Sequence, residues 1–531
     1  MKATWRSPCS AIFVTTILAD CADSKNSQMI ILGNCSIIAI FAFRKTKIIY
    51  GIVTNMVFSS PSFLYYFLPI TIFCYFLVGI INRDNVEYKN FVLLFFSLTF
   101  YFYGAGQYTI LLLAITVSSY VFGILIEKSK RKRLLFLFSI SFPLFLLFVF
   151  KYTNFFMSQA VSLAANFGIP FIIPKTNIIL PIGISFYTFQ CLSYIIDIYL
   201  KKEKPERNFF DLLLYISMFP QLIAGPIVRY KTIAKQLHNR TTSLNDFSVG
   251  AARFMYGLSK KVIIADACGL VADTAYGVPL EIVSTPVAVI GSFAYFLQIY
   301  FDFSAYSDMA IGLGKLFGFH FPENFYRPYS SSSITDFWKR WHITLSSWFR
   351  DYLYIPIGGS RKGRCGTYLN LWIVFLCTGI WHGANWTFLL WGIYHGTLLS
   401  IERFFNLRKH ECFEILWRII TIILIYFGWI IFRSESLDQA FVFYSHIFYP
   451  RNWELVESVY NILTNKNVFI MLVAFSTLFF PKNFVMGKIF ENVNCSITEL
   501  LVKNLALIAI MAYSICIIAS GNYSPFIYFQ F

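Results

Sequence analysis

SITDFWKRWHITLSSWFRDYLYIPIGGSRKG (residues 333–363), a short polar turn and NLWIVFLCTGIWHGANWTFLLWGIYHG (residues 370–396) are the stretch whose reading decides the fold. Three of the seven histidines, His342, His382 and His395, lie here in apolar surroundings. Two stand beside tryptophan, in Arg340-Trp341-His342 and Trp381-His382-Gly383. A titratable side chain within a membrane-grade segment is costly, which makes it a functional candidate by default.

Outward from this stretch the chain keeps the same character. Of its 531 residues 57% are hydrophobic and 13% charged, against roughly 25% charged in soluble proteins. Apolar runs recur along most of the length, many near the roughly 20 residues that span a bilayer. They are continuous, whereas barrel strands alternate apolar and polar residues over about 10 positions. The class is an all-α polytopic membrane protein with roughly ten to twelve transmembrane or re-entrant segments. The net charge of +17 is first a matter of topology, because basic loops stay cytoplasmic. Attraction to anionic membrane lipid is secondary. No basic run carries the interleaved aromatics of a nucleic-acid groove, so no nucleic acid is expected. The eleven cysteines form no C-x-x-C pair and no Cys/His metal spacing. Cys74, Cys191, Cys377 and Cys516 lie inside apolar runs, where a free thiol acts as a small hydrophobe. Neither a disulfide framework nor a metal site is expected.

Residues 1–55 differ in character from the rest of the chain and read as an extension, with a natural start at Met56. The first expected span is 63–81, with further spans at 91–104 and 108–126. The basic run Glu127 to Arg133 then reads as a cytoplasmic loop. More spans are expected at 134–150 and 178–200, separated by a charge-poor connection at 151–176. In this alternation an apolar run at 29–43 would put Arg44, Lys45 and Lys47 outside, against the positive-inside rule. Pro220, Gly225 and Pro226 interrupt the apolar stretch 209–230, giving either a broken helix that lines a cavity or an ordinary kinked span. Residues 243–278, with Lys260 and Lys261, read as an amphipathic helix near the cytoplasmic surface. A long helix from Ile282 runs into Asp302 and Asp308. These sit about 240° apart around a helix, so structural hydrogen bonding is expected of them, not an acid pair. Spans near 415–432, 468–480 and 501–520 complete the chain.

Within the deciding stretch, 334–354 reads as one helix. Trp338, Trp341, Leu345 and Trp348 form a stripe on one face, as in an interfacial helix with an aromatic belt. His342 adjoins that stripe. The turn 359–364 reads as a solvated basic loop, since it matches no phosphate-binding pattern. His382 comes after the apolar run 369–380, and Gly379 and Gly383 are expected to leave room for a substrate chain. Neutral imidazole at depth suits general-base catalysis near neutral pH. The alternative is a satisfied structural histidine, which is the reading given to His395.

These residues resemble the membrane-bound O-acyltransferase family, in its bacterial alginate O-acetyltransferase-like branch. The resemblance is carried by LPIGISFYTFQCLSYIIDIY from Leu180, FPQLIAGPIVRY from Phe219, YFDFSAYSDMAIG from Tyr300, FWKRWHITLSSWFRDYLYIPIGG from Phe337 and the run from Asn370. It covers Met56 to Phe531 as a single membrane domain. It implies a ring of helices around a central tunnel, with His382 in the place of the family's catalytic histidine and His342 in that of its supporting one. It further implies an acyl donor from the cytoplasm, acetyl-CoA or another acyl thioester, with no bound cofactor. The acceptor would be an extracytoplasmic polysaccharide. A separate SGNH-type acetyltransferase partner and a place in the bacterial cytoplasmic (inner) membrane are also implied. Under this reading His382 takes the acceptor's proton while His342 orients the site or stabilises charge. D-alanyl transfer to teichoic acid, in a related branch, and non-enzymatic polysaccharide export remain as alternatives.

Overall fold

The computed structural model describes residues 56–82, 85–169, 178–407, 414–479 and 497–521, with Ser524, Phe526 and Ile527. The expected extension at 1–55 lies outside the described residues. Regular structure among them is helical, with no strand among the described residues. Six helical stretches are long and apolar enough to cross a membrane: Phe63–Ile81, Val86–Lys128, Lys132–Asn166, Thr285–Leu316, Glu414–Arg433 and Thr498–Ala519.

The first spans form as the hydropathy predicts. Helix α1 (Phe63–Ile81) leads to α2 (Val86–Ala105) and α3 (Thr109–Lys128), which one 3-10 turn joins. Helix α4 departs from expectation, because it continues from Lys132 to Asn166 instead of ending near Phe150. Nothing in 151–166 breaks it. The first helix breaker is Gly168, in a left-handed conformation at φ 67°. Much of the anticipated connection is therefore helix. Helix α5 (Ile184–Tyr199) starts late, after Pro181 and the left-handed Gly183.

The proline-interrupted stretch is a broken helix. Helix α6 (Phe209–Ser217) stops, one turn forms at Phe219–Leu222, and the chain runs on without helix to Arg229, after which α7 (Tyr230–His238) begins. Every residue from Asp211 to Val228 is buried. Irregular backbone survives at such depth only if its polar groups find partners. Here the Phe219 N–H donates to Ser97 Oγ, the Ile227 N–H to Thr344 Oγ1, and the Tyr215 hydroxyl to the Val228 carbonyl.

Helix α8 (Leu244–Ser259) passes through a π turn at Lys260–Ala265 into α9 (Asp266–Tyr276), and both pack along α10 (Thr285–Leu316). Glycines allow the approach: a Cβ on Gly250 would lie 2.7 Å from the Gly312 carbonyl oxygen. Helix α10 is the central pillar, 78% buried over its apolar window, whereas the corresponding window of Thr498–Ala519 is 17% buried. This corrects the surface placement of 243–278. Lys260 and Lys261 are 8% and 3% exposed. Lys260 Nζ lies 2.5 Å from Asp308 Oδ2, and Lys261 Nζ 2.6 Å from Asp266 Oδ1 and 3.0 Å from Asp302 Oδ1. The lysines belong to an internal charge cluster whose carboxylates come mainly from α10. Asp302 and Asp308 serve separate partners, as their angular separation implies. The chain end closes the Lys261 group. Ser524 Oγ donates to Asp266 Oδ1 at 2.6 Å and the Ile527 N–H to Asp302 Oδ2 at 2.9 Å.

The deciding stretch forms α11 (Ile334–Arg340), α12 (Ile343–Phe349), α13 (Gly363–His382) and α14 (Trp386–Phe404). Beyond it lie helix α15 (Glu414–Arg433), the short α16 (Leu437–Phe448) and α17 (Glu457–Ile462), and then α18 (Asn465–Ser476) and α19 (Ile497–Ala519). Helices α13 and α14 touch backbone to backbone. A Cβ on Gly379 would lie 2.4 Å from the Phe388 carbonyl oxygen, and one on Gly392 2.4 Å from that of Phe375. At Gly383 the space is filled by the Phe388 ring. The room expected for a substrate chain at Gly379 and Gly383 is thus taken by α14. Gly379→Ala is expected to push the helices apart and lower the thermal midpoint. Gly396→Ala, whose new methyl would meet nothing nearer than 3.5 Å, should leave it unchanged. Thermal denaturation of the two purified variants compares them directly.

Candidate active site

The expected single helix over 334–354 is broken at its centre, and the break builds the site. After Arg340 the helical ladder stops. The Arg340 carbonyl accepts the N–H of Tyr326, and the Ile343 N–H donates to the Asn324 carbonyl. A distant segment, 324–326, thereby takes over bonds that a continuous helix would keep. His342 is forced into the left-handed region at φ 43°, ψ 54°, which is uncommon for a residue with a side chain. The tryptophan stripe is divided accordingly. Trp338 packs 5.6 Å from Trp391, Trp341 4.8 Å from Trp429, and Trp348 stacks 3.9 Å over Phe189. Trp341 and Trp348 are buried, so they are packing residues, not a belt at headgroup level.

His342 is 1% exposed. Its Nδ1 lies 3.0 Å from Asn324 Oδ1, and its Nε2 is buried with no protein hydrogen-bond partner among the described residues. The edge of Phe303 closes one side at 4.6 Å. His382 is the last residue of α13. The chain leaves the helix at Gly383 in extended conformation and turns into α14, which the Asn385 side chain caps by accepting the Thr387 N–H. The His382 ring sits 5.0 Å from Trp381, 5.1 Å from Trp391 and 5.0 Å from Phe432. Trp381 is also 6.3 Å from His342. Two histidines forty residues apart in sequence (382 − 342) therefore flank one indole. His395 lies one indole further, 4.8 Å from Trp391, with neither ring nitrogen bonded to protein among the described residues.

Around these rings the indole N–H groups of Trp338, Trp381, Trp391 and Trp429 are buried without protein acceptors among the described residues. Native interiors leave few such groups unpaired. They cluster beside His342 Nε2 and both ring nitrogens of His395, which have no protein partner among the described residues. A cavity of 420 Å³, whose walls include Arg253, Lys260, Asp308 and Glu323, reaches Asn324, the residue that holds His342. Such a size suits a small-molecule site.

Lys151 is a site residue that sequence reasoning assigned to a connection. From α4 its Nζ donates to the carbonyls of Trp381 at 2.5 Å and His382 at 3.1 Å. It also stands 5.8 Å from the Trp381 ring. The end of a helix leaves carbonyls unsatisfied and carries partial negative charge. The Lys151 Nζ gives donors to two of these carbonyls and so holds the residue that ends the helix. The available signal was a lone cation closing the uncharged run 134–150. Lys151→Met should lower the turnover number about tenfold, near 1.4 kcal/mol in barrier, with the donor KM little changed. Steady-state kinetics on the purified protein reads both.

Buried imidazoles thus gather inside a multi-pass helical protein, beside indole N–H groups without protein acceptors among the described residues. The sequence matches the membrane-bound O-acyltransferase family, MBOAT, over residues 200–438. It is 40% identical over 499 residues to the probable alginate O-acetylase AlgI of Pseudomonas putida, covering 90% of this chain and 100% of that one. To the protein of the same description in Pseudomonas syringae pv. tomato it is 43% identical over 431 residues, 80% of this chain and 81% of the relative. To the peptidoglycan O-acetyltransferase of Helicobacter pylori it is 35% identical over 421 residues, 72% and 78% of the two chains. The chain belongs to the membrane-bound O-acyltransferase family and is a multi-pass membrane acyltransferase.

Proposed function

We propose that this protein is an O-acetyltransferase that passes acetyl groups across the bacterial cytoplasmic membrane for esterification of an extracytoplasmic polysaccharide. His382 is its general base and His342 the second imidazole of the site. The observation that carries the reading is the placement of His382 at the end of α13, clasped by Lys151 through the backbone and facing His342 across Trp381. In the step itself an acceptor hydroxyl gives its proton to His382 as its oxygen attacks the acyl carbonyl. The carbon–sulfur bond of the thioester breaks, and the thiolate leaves with a proton returned by the imidazolium. The close aromatic packing around the site excludes water that would hydrolyse the thioester.

The donor is acetyl-CoA or another acyl thioester, approaching from the side of the basic segments. Lys151 lies nineteen residues into α4 (151 − 132) and His382 nineteen into α13 (382 − 363). Each helix therefore rises about 28 Å from a basic segment to the site at 1.5 Å per residue. An alginate-like exopolysaccharide is the favoured acceptor, since the relatives described as alginate O-acetylases are more similar than the peptidoglycan O-acetyltransferase. A periplasmic SGNH-type acetyltransferase would receive the acetyl group and complete the transfer. The test is alkaline release of acetate from the surface polysaccharide of cells with and without this protein. Loss of ester-linked acetate on deletion supports the function. Unchanged acetate, or loss of ester-linked D-alanine instead, overturns it.

A further inference from the structure

Asn324 is engaged on every side. Its carbonyl accepts the Ile343 N–H at 2.9 Å, and its Nδ2 lies 3.0 Å from Ser307 Oγ. Its Oδ1 meets the Thr344 N–H at 3.3 Å, Thr344 Oγ1 at 2.9 Å and His342 Nδ1 at 3.0 Å. A backbone N–H only donates, so the amide atom facing Thr344 is the oxygen. The Thr344 hydroxyl agrees with this. Its oxygen already accepts the Ile227 N–H at 3.0 Å, which directs its single proton toward Asn324 Oδ1. An amide oxygen only accepts. His342 Nδ1 therefore carries the proton, and the lone pair of the neutral ring is on Nε2, buried and without a protein partner among the described residues.

We infer that Asn324 is a positioning residue for acyl transfer: it fixes His342 as the Nδ1–H tautomer, so that Nε2 offers a lone pair to an O–H or N–H of the substrate. This rests on the acyl-transfer reading of the site and sharpens it. A neutral ring in that tautomer has no proton on Nε2 to give to an oxyanion, so His342 accepts from the substrate instead of stabilising negative charge. The left-handed backbone of His342 belongs to the same device. Strained conformations persist where the surroundings over-determine them, and segment 324–326 does so here through the Ile343 N–H and the Arg340 carbonyl. Asn324 is also among the residues that line the 420 Å³ cavity, so the residue that sets the tautomer adjoins it. Which imidazole nitrogen is protonated is set by the bond the other one makes.

The test has one arm that needs no activity. Nitrogen-15 spectra of full-length protein with labelled histidine, in lipid nanodiscs, report the protonation of each ring nitrogen. The His342 signals are identified by their loss in His342→Gln. A protonated Nδ1 and bare Nε2 are expected in the wild type and in Ser307→Ala, which leaves Oδ1 in place. The opposite tautomer would refute the inference whatever the protein's substrate. The second arm measures transfer from acetyl-CoA across pH. Asn324→Asp keeps an acceptor oxygen and adds charge beside Nδ1, which favours imidazolium. Its activity should survive with the acid limb of the pH profile moved upward. Asn324→Leu should lose more than about tenfold in turnover number with little change in KM for acetyl-CoA. A pH profile unmoved in Asn324→Asp, or full turnover in Asn324→Leu, overturns the positioning role.

Discussion

His382→Ala is expected to give a folded, membrane-inserted protein that no longer transfers acetyl groups. What keeps the fold intact is that the end of α13 is fixed through its backbone. Lys151 bonds to the carbonyls of residues 381 and 382, and Asn385 starts α14 through its own side chain. Neither depends on the imidazole. The loss is chemical, because removal of a general base costs roughly 10²–10⁴ in rate. His382→Gln retains a polar side chain of comparable reach but not the basicity, and it should fall as far. The measurement is ester-linked acetate on the polysaccharide, normalised to protein in the membrane. Either variant acetylating within about threefold of wild type, a barrier change under about 1 kcal/mol, would remove His382 from the reaction.

Lys261→Met is expected to be the most damaging substitution for stability. It leaves Asp302, 1% exposed, and Asp266 facing each other without the ammonium that lay within 3.0 Å of both. Breaking a buried ion pair on one side costs about 3–5 kcal/mol, while replacing the whole pair by neutral groups often costs little. The double variant Lys261→Met/Asp302→Asn should therefore recover part of the loss, since the amide can still accept the Ile527 N–H. Thermal midpoints in detergent, read by size-exclusion chromatography after heating, give the order wild type, double variant, single variant. A single variant as stable as the double one would contradict this account of the cluster.

The parts of this architecture that were legible in the sequence are those set by local composition. Apolar length alone pointed to spans at 63–81 and near 415–432, where α1 (Phe63–Ile81) and α15 (Glu414–Arg433) lie, and Pro220 with Gly225 and Pro226 marked an interruption that could be a break or a kink. The histidines were visible because imidazole is out of place in apolar text. What was not legible depends on partners far along the chain. The 341–342 break arises from bonds to residues 324 and 326, so helix periodicity continues smoothly through it. Lys260 and Lys261 read as surface charges because Asp302 and Asp308 come forty or more residues later, in a helix whose register had not been tied to theirs. Gly379 read as space for a substrate because nothing local says that Phe388 occupies it. Lys151 escaped because its acceptors are backbone carbonyls of α13, which no side-chain pattern encodes.

The tie between the chain end and α10 bears on how the protein is made. Asp302 and the Ile527 N–H that bonds it are 225 residues apart. At synthesis rates of about 5–20 residues per second, the ribosome needs on the order of 10–45 s to travel between them. During that interval α10 already stands in the bilayer, and one of its carboxylate oxygens still waits for its backbone donor. The ion pairs of Lys260 and Lys261 can close within residues 260–308, whereas the bonds of Ser524 and Ile527 to Asp266 and Asp302 must wait for the synthesis of some two hundred further residues.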